Sequence, residues 1–137
     1  MDIEELIERF EIFDDWPERY RYVIDLGRKV PGLDAAHKTE PNRVLGCQSQ
    51  VWFIVEEANG QAVTFAADSD SAIVKGLIFI LLTLYSGQSP NTILDVEAQP
   101  VFRRLGLEGH LSPSRANGFY AMVARIKRLA SEHGTSA

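Results

Sequence analysis

Ile3, Leu6, Ile7, Phe10 and Phe13 recur at helical spacing with acidic residues between them, which predicts an N-terminal helix with one apolar face. Asp15-Trp16-Pro17-Glu18 then offers an N-cap, a proline in the first turn and a carboxylate three residues on. A second helix therefore starts at Asp15, with Tyr20, Val23, Ile24 and Leu26 on its apolar side, and Pro31-Gly32 ends it. From there to Pro41-Asn42 the chain is polar and has no period, which predicts a loop delivering the next segment to the surface.

At Val51 the period changes to two. Val51, Phe53 and Val55 alternate with Trp52 and Ile54, so both faces of this strand are apolar and at least partly covered. A turn at Ala58-Asn59-Gly60 leads into Val63-Thr64-Phe65-Ala66-Ala67, which completes an antiparallel hairpin. Asp68-Ser69-Asp70-Ser71 supplies caps for a helix from about Ala72 to Tyr85; Asp68 and Asp70 both read as capping carboxylates. Apolar residues occupy nearly the whole circumference of that helix, from Ile73 to Leu84, so it is the central buried one.

The last third is helical. Ser89-Pro90 opens a short helix through Ile93 and Leu94, Pro100 to Leu105 forms another that stops at Gly106, and Ser112-Pro113 opens the last. Phe119, Met122, Val123, Ile126 and Leu129 form its apolar stripe, and Arg125, Lys127 and Arg128 read as a solvated end suited to the helix dipole. Together these elements predict an α+β fold, a small antiparallel sheet packed against several helices, in a single domain over 1–137.

Composition narrows the function. With 137 residues, 45% of them apolar, the chain buries a core without disulfides or a structural metal. The net charge is −5 and the Lys and Arg are scattered, so nothing suggests nucleic-acid binding. The longest apolar run, Leu77 to Leu82, is far shorter than the roughly 18 residues of a membrane span. The start, Met1-Asp2-Ile3-Glu4-Glu5-Leu6, is acidic, unlike a secretory or transit leader, and the one cysteine fits a reducing compartment, so a cytoplasmic protein is expected. His37, His110 and His133 lie far apart, so no metal site and no cofactor are expected.

Chemistry concentrates at that cysteine. Cys47 lies between the Pro-containing loop and the first strand, with small or polar neighbours where a core cysteine has apolar ones. A lone cysteine also serves as a small buried hydrophobe, and the surrounding residues distinguish the two roles. The run Arg43-Val44-Leu45-Gly46-Cys47-Gln48-Ser49-Gln50-Val51-Trp52 resembles the cysteine-loop signature of the SufE/CsdE family of sulfur acceptors. Asp68-Ser69-Asp70-Ser71-Ala72-Ile73-Val74-Lys75-Gly76-Leu77 resembles the family's second block, and His110-Leu111-Ser112-Pro113-Ser114-Arg115-Ala116-Asn117-Gly118 its lead-in to the last helix. Ala67 and Ser71 depart from the common glycine and alanine, and neither touches the cysteine.

The resemblance implies a fold shared with the IscU scaffold proteins, and a function. A protein of this family takes persulfide sulfur from a PLP-dependent, SufS/CsdA-like cysteine desulfurase onto its cysteine, here Cys47. It stimulates that enzyme and passes sulfur toward a downstream acceptor or Fe–S scaffold, as a partner protein rather than a stand-alone enzyme. It further implies that Cys47 sits at a loop tip with its thiol against apolar groups, and that Asp70 and Arg115 lie near the loop and help dock the desulfurase. Arg115 stands in the first turn of the last helix, where a cation opposes the dipole. Arg43, the one cation in the cysteine motif, either lowers the thiol pKa or is solvated, and joins the docking candidates. The chain is expected to be a monomer or a weak homodimer, with no second sulfur near Cys47. Two other functions are open to a one-cysteine chain: a redox sensor or thiol peroxidase, and an Fe–S assembly scaffold. A scaffold needs several thiolates, and a peroxidase needs a cation-activated thiolate on a helix.

Overall fold

Six α-helices and one antiparallel hairpin make up residues 1–133, the part of the chain described by a computed structural model. In order they are α1 (Ile3–Glu11), α2 (Trp16–Gly27), β1 (Val51–Ala58), β2 (Val63–Ser69), α3 (Ala72–Tyr85), α4 (Pro90–Asp95), α5 (Gln99–Arg104) and α6 (Pro113–Glu132). Every α-helix except α5 begins with a short polar side chain that accepts a backbone N–H three residues on: Asp2, Asp15, Ser71, Ser89 and Ser112. Those caps fix the starts, because the first N–H groups of a helix have no partner within it.

The middle of the molecule is α3, which buries nine of its fourteen residues. It packs against α2, β2, α6 and α1, while β1 leans on α6. The approach of α2 is close enough that a methyl group on Gly76 would strike the Val23 carbonyl. Strands β1 and β2 pair from Val51–Ser69 to Ala58–Val63, with a bulge between Val55 and Glu57. The outer edge of β2 is covered where the chain leaves α3, since Val63 exchanges hydrogen bonds with Gln88 and Gly87, and Phe65 donates to Ser86. The architecture is the expected α+β one.

Four local details differ from expectation. Phe13 lies beyond α1, which stops at Glu11. Helix α2 stops at Gly27, and Arg28, Lys29 and Val30 donate to carbonyls three residues back, tightening the exit before Pro31 is reached. The segment expected to be a structureless loop holds two single-turn 3₁₀ helices, Ala35–His37 and Glu40–Asn42. Finally, the basic residues near the C-terminal end of α6 are not simply solvated: Arg125 donates to the carbonyls of Pro41 and Phe53, and Lys127 donates to Leu94 O and pairs with Glu97. Of the three, Arg128 alone is exposed.

Nor do Asp68 and Asp70 cap α3, a role that falls to Ser71. Asp68 is nearly buried and gathers three segments, accepting the N–H groups of Leu33 and Ser69 and pairing with Lys38 at 3.1 Å and Lys75 at 3.4 Å. Burial acts to raise its pKa; the hydrogen bonds from Leu33, Ser69 and Lys38 and the charge of Lys75 outweigh it and hold the carboxyl below the ordinary value. Lys38 also lies 5.5 Å from the centre of the Trp52 ring, so the loop before the cysteine is fastened to both strands.

Candidate functional site

The cysteine loop, residues 44–50, is held at its two ends. At the first, Arg43 forms a bridge with Trp52, and the Val44 N–H donates to Val51 O at 2.8 Å. At the second, the Gln50 N–H donates to the Asp70 carboxylate at 3.0 Å and the Asp70 N–H donates to Gln50 O at 3.3 Å. Between them the chain turns at Gly46, whose φ of +93° suits glycine and strains other residues. That turn lays the loop on α6.

Small residues of α6 receive it. A methyl group on Gly46 would lie 3.3 Å from Ala121 Cβ, and one on Gly118 would lie 3.4 Å from Cys47 Sγ. The thiol donates to Gly118 O at 3.6 Å, a long and weak sulfur contact. Cys47 is half-buried, outside any helix or strand, and borders a cavity of about 280 Å³ whose apolar side is Val74, Leu77, Phe119 and Met122. Met122 lines the same cavity as Cys47. Burial pushes the Cys47 pKa up, and the charge of Arg43 pulls against this without cancelling it. The seated group is therefore a shielded thiol rather than a standing thiolate.

The other expected residues surround this loop in different ways. Arg115 is exposed and lines the same cavity as Cys47. Asp70 does not enter the cavity and holds the loop's far end through Gln50. Arg43 stands at the near end, half-buried and paired with Glu40 at 3.6 Å. Sequence reasoning does not single out Gly118, Met122, Asp68 or Arg125 as site residues. An isolated glycine inside a helical pattern is the available signal for Gly118, since it costs helix stability unless something packs there. His110 stacks on Trp16, 4.9 Å between ring centres, and among the described residues no cluster of His, Cys, Asp or Glu is placed to hold a metal ion.

Residues 4–130 match the SufE family, described as an Fe–S metabolism associated domain. An uncharacterized SufE-like protein of Rhizobium meliloti (strain 1021) is 42% identical over 129 residues, covering 91% of each chain. Another from Rhizobium etli is 40% identical over 131 residues, covering 93% of this chain and 88% of that one. A solution structure of a hypothetical protein from Thermus thermophilus has the same fold, with a TM-score of 0.76 over 96% of this chain and 94% of that chain at 22% identity. With its cysteine loop seated on the last helix, the chain belongs to the SufE family, whose domain is associated with Fe–S metabolism.

Proposed function

We propose that this chain, a single SufE-like domain over 1–137, is a cytoplasmic sulfur acceptor that takes one sulfur from a PLP-dependent cysteine desulfurase onto Cys47. It stimulates that enzyme and hands the sulfur to a downstream acceptor or Fe–S scaffold. The observation that carries this reading is the seat of Cys47: a half-buried thiol on a loop tied at its ends and laid on α6 beside an apolar cavity. No helix among the described residues is long and apolar enough to cross a membrane.

The chemistry is thiol–persulfide exchange. Cys47 loses its proton, the thiolate attacks the outer sulfur of the donor's persulfide, and the sulfur–sulfur bond of the donor breaks. The donor cysteine leaves as a thiolate and takes up a proton, while Cys47 now carries the outer sulfur, so no external oxidant or reductant is needed. In its seat the thiol resists ionisation, so docking must move the loop before attack is fast. Asp70 and Arg43, at the two ends of the loop, and Arg115, on the cavity, are the docking residues for the desulfurase.

A raised thiol pKa argues against a peroxidase, whose thiolate has to stand ready, and one cysteine is too few for a cluster scaffold. Mass spectrometry tests the reading directly. After incubation with a cysteine desulfurase and free cysteine, the peptide containing Cys47 gains about 32 Da, one sulfur by exchange, and loses it on reduction. An unmodified Cys47 under conditions where the desulfurase itself carries a persulfide would rule it out.

A further inference from the structure

A second concavity, about 650 Å³, lies further along α6 from the thiol's cavity. Glu40, Arg43 and Leu45 border it from the loop side, and Ala124, Arg125 and Arg128 from the helix. Three arginines and a single acidic residue, Glu40, line it, on a chain of net charge −5. Only Arg43 has a carboxylate partner among the described residues, Glu40, whose side chain is 83% exposed. Arg125 uses one terminal nitrogen for Pro41 O and Phe53 O, and its Nε is buried with no partner. Leu45, 80% exposed, is the most exposed large apolar residue described and stands at the edge of this groove.

We propose that this groove docks an acidic segment of the desulfurase, with an apolar residue covering Leu45 and carboxylates meeting Arg125 and Arg128. The proposal rests on the sulfur-acceptor reading for the identity of the partner. Charge selects an acidic segment, since the groove is a cationic patch on an acidic protein. Position gives docking its effect: Leu45 is two residues from Cys47, and Gly46 lies against Ala121, which also lines the groove. A segment that grips Leu45 therefore pulls on the stretch of chain that seats the thiol.

The test is calorimetric titration of the desulfurase with Arg128→Glu and Arg128→Lys at low and moderate salt, alongside thermal melts and Cys47 loading by mass spectrometry. Arg128 is exposed, so both variants fold as the parent does. The expected result is roughly tenfold weaker binding and a shallower salt dependence for Arg128→Glu, with near-parental binding for Arg128→Lys. Parental binding and salt dependence for Arg128→Glu, while Cys47 still gains a sulfur, would overturn the groove and leave the acceptor reading intact. Weakened binding with no sulfur ever reaching Cys47 would keep the groove and remove the acceptor reading. A change in sedimentation of the chain alone would make the groove a contact between copies and overturn desulfurase docking there.

Discussion

Asp70 and Gln50 exchange two hydrogen bonds, one from the Gln50 N–H to the Asp70 carboxylate and one from the Asp70 N–H to the Gln50 carbonyl. A residue expected to cap α3 instead closes the far end of the cysteine loop. Asp70→Ala removes the first of these bonds while leaving Ser71 to cap the helix. Alkylation of Cys47 by iodoacetamide is expected to quicken, with stability in urea lowered by no more than about 1 kcal/mol, the usual worth of an exposed hydrogen bond. An unchanged alkylation rate would mean that Asp70 does not restrain the loop.

The raised thiol pKa has a pH signature. Alkylation proceeds through the thiolate, so its midpoint should lie above that of an unstructured peptide of the same sequence, and should fall back in Asp70→Ala. The stability linkage has a definite sign: with the folded pKa above the unfolded one, the contribution of Cys47 is complete below the unfolded pKa. It is lost as pH rises toward the folded value. Comparing parent and Cys47→Ser in urea on both sides of that window checks it.

Gly118 separates two outcomes by size. Alanine there makes an ordinary contact at 3.4 Å with Cys47 Sγ and suits a helix interior, so Gly118→Ala is expected to be neutral or up to about 1 kcal/mol more stable. Gly118→Val has no such room. It should evict the thiol and raise its alkylation rate by an order of magnitude or more, as ionisation is no longer opposed by burial.

Asp68→Asn leaves Lys38 and Lys75 without their carboxylate and is expected to cost about 1–3 kcal/mol at neutral pH. Because the folded pKa of Asp68 is depressed, its contribution is present above the unfolded pKa and lost as pH falls through the folded one. Urea melts should therefore show the gap between parent and variant closing under acid. A gap independent of pH would assign the loss to packing rather than charge.

Cys47→Ser should fold as the parent does, since the swap is close to isosteric and the sulfur contact to Gly118 is weak. Stimulation of the desulfurase should vanish with the acceptor atom. Retention of most of the stimulation would leave an activator that works by docking alone.

Elements set by local chemistry were legible in the chain. The caps at Asp15, Ser71, Ser89 and Ser112 and the change of period at Val51 each act within a few residues of themselves, and each appears in the fold. The position of Cys47 was legible because three separate blocks resembled one family. What stayed hidden depends on distant partners. Arg125 donates to a carbonyl 84 residues away, and Lys127 to one 33 residues away, so charge pattern along the helix saw only a solvated end. Asp68 looked like a cap because nothing local reveals that Leu33 and Lys38 converge on it. Phe13 continues the spacing of α1 but lies beyond its end, where Phe13 packs on Tyr22 and its carbonyl accepts from Arg19.

The tie between Val44 and Val51 also limits how far the cysteine can travel. Cys47 lies three residue steps beyond Val44, and a fully extended chain advances no more than about 3.6 Å per residue, so the Cys47 Cα reaches about 11 Å from that anchor at most. On the proposed sulfur-acceptor reading, the tether length sets the depth of the donor site that can be served while the tie holds. A sulfur bound deeper than that in its enzyme is out of range, and one near the surface meets a thiol with slack chain behind it. Inserting residues between Val44 and Gly46 would lengthen the reach without altering the thiol, turning loop length into a selector among donors.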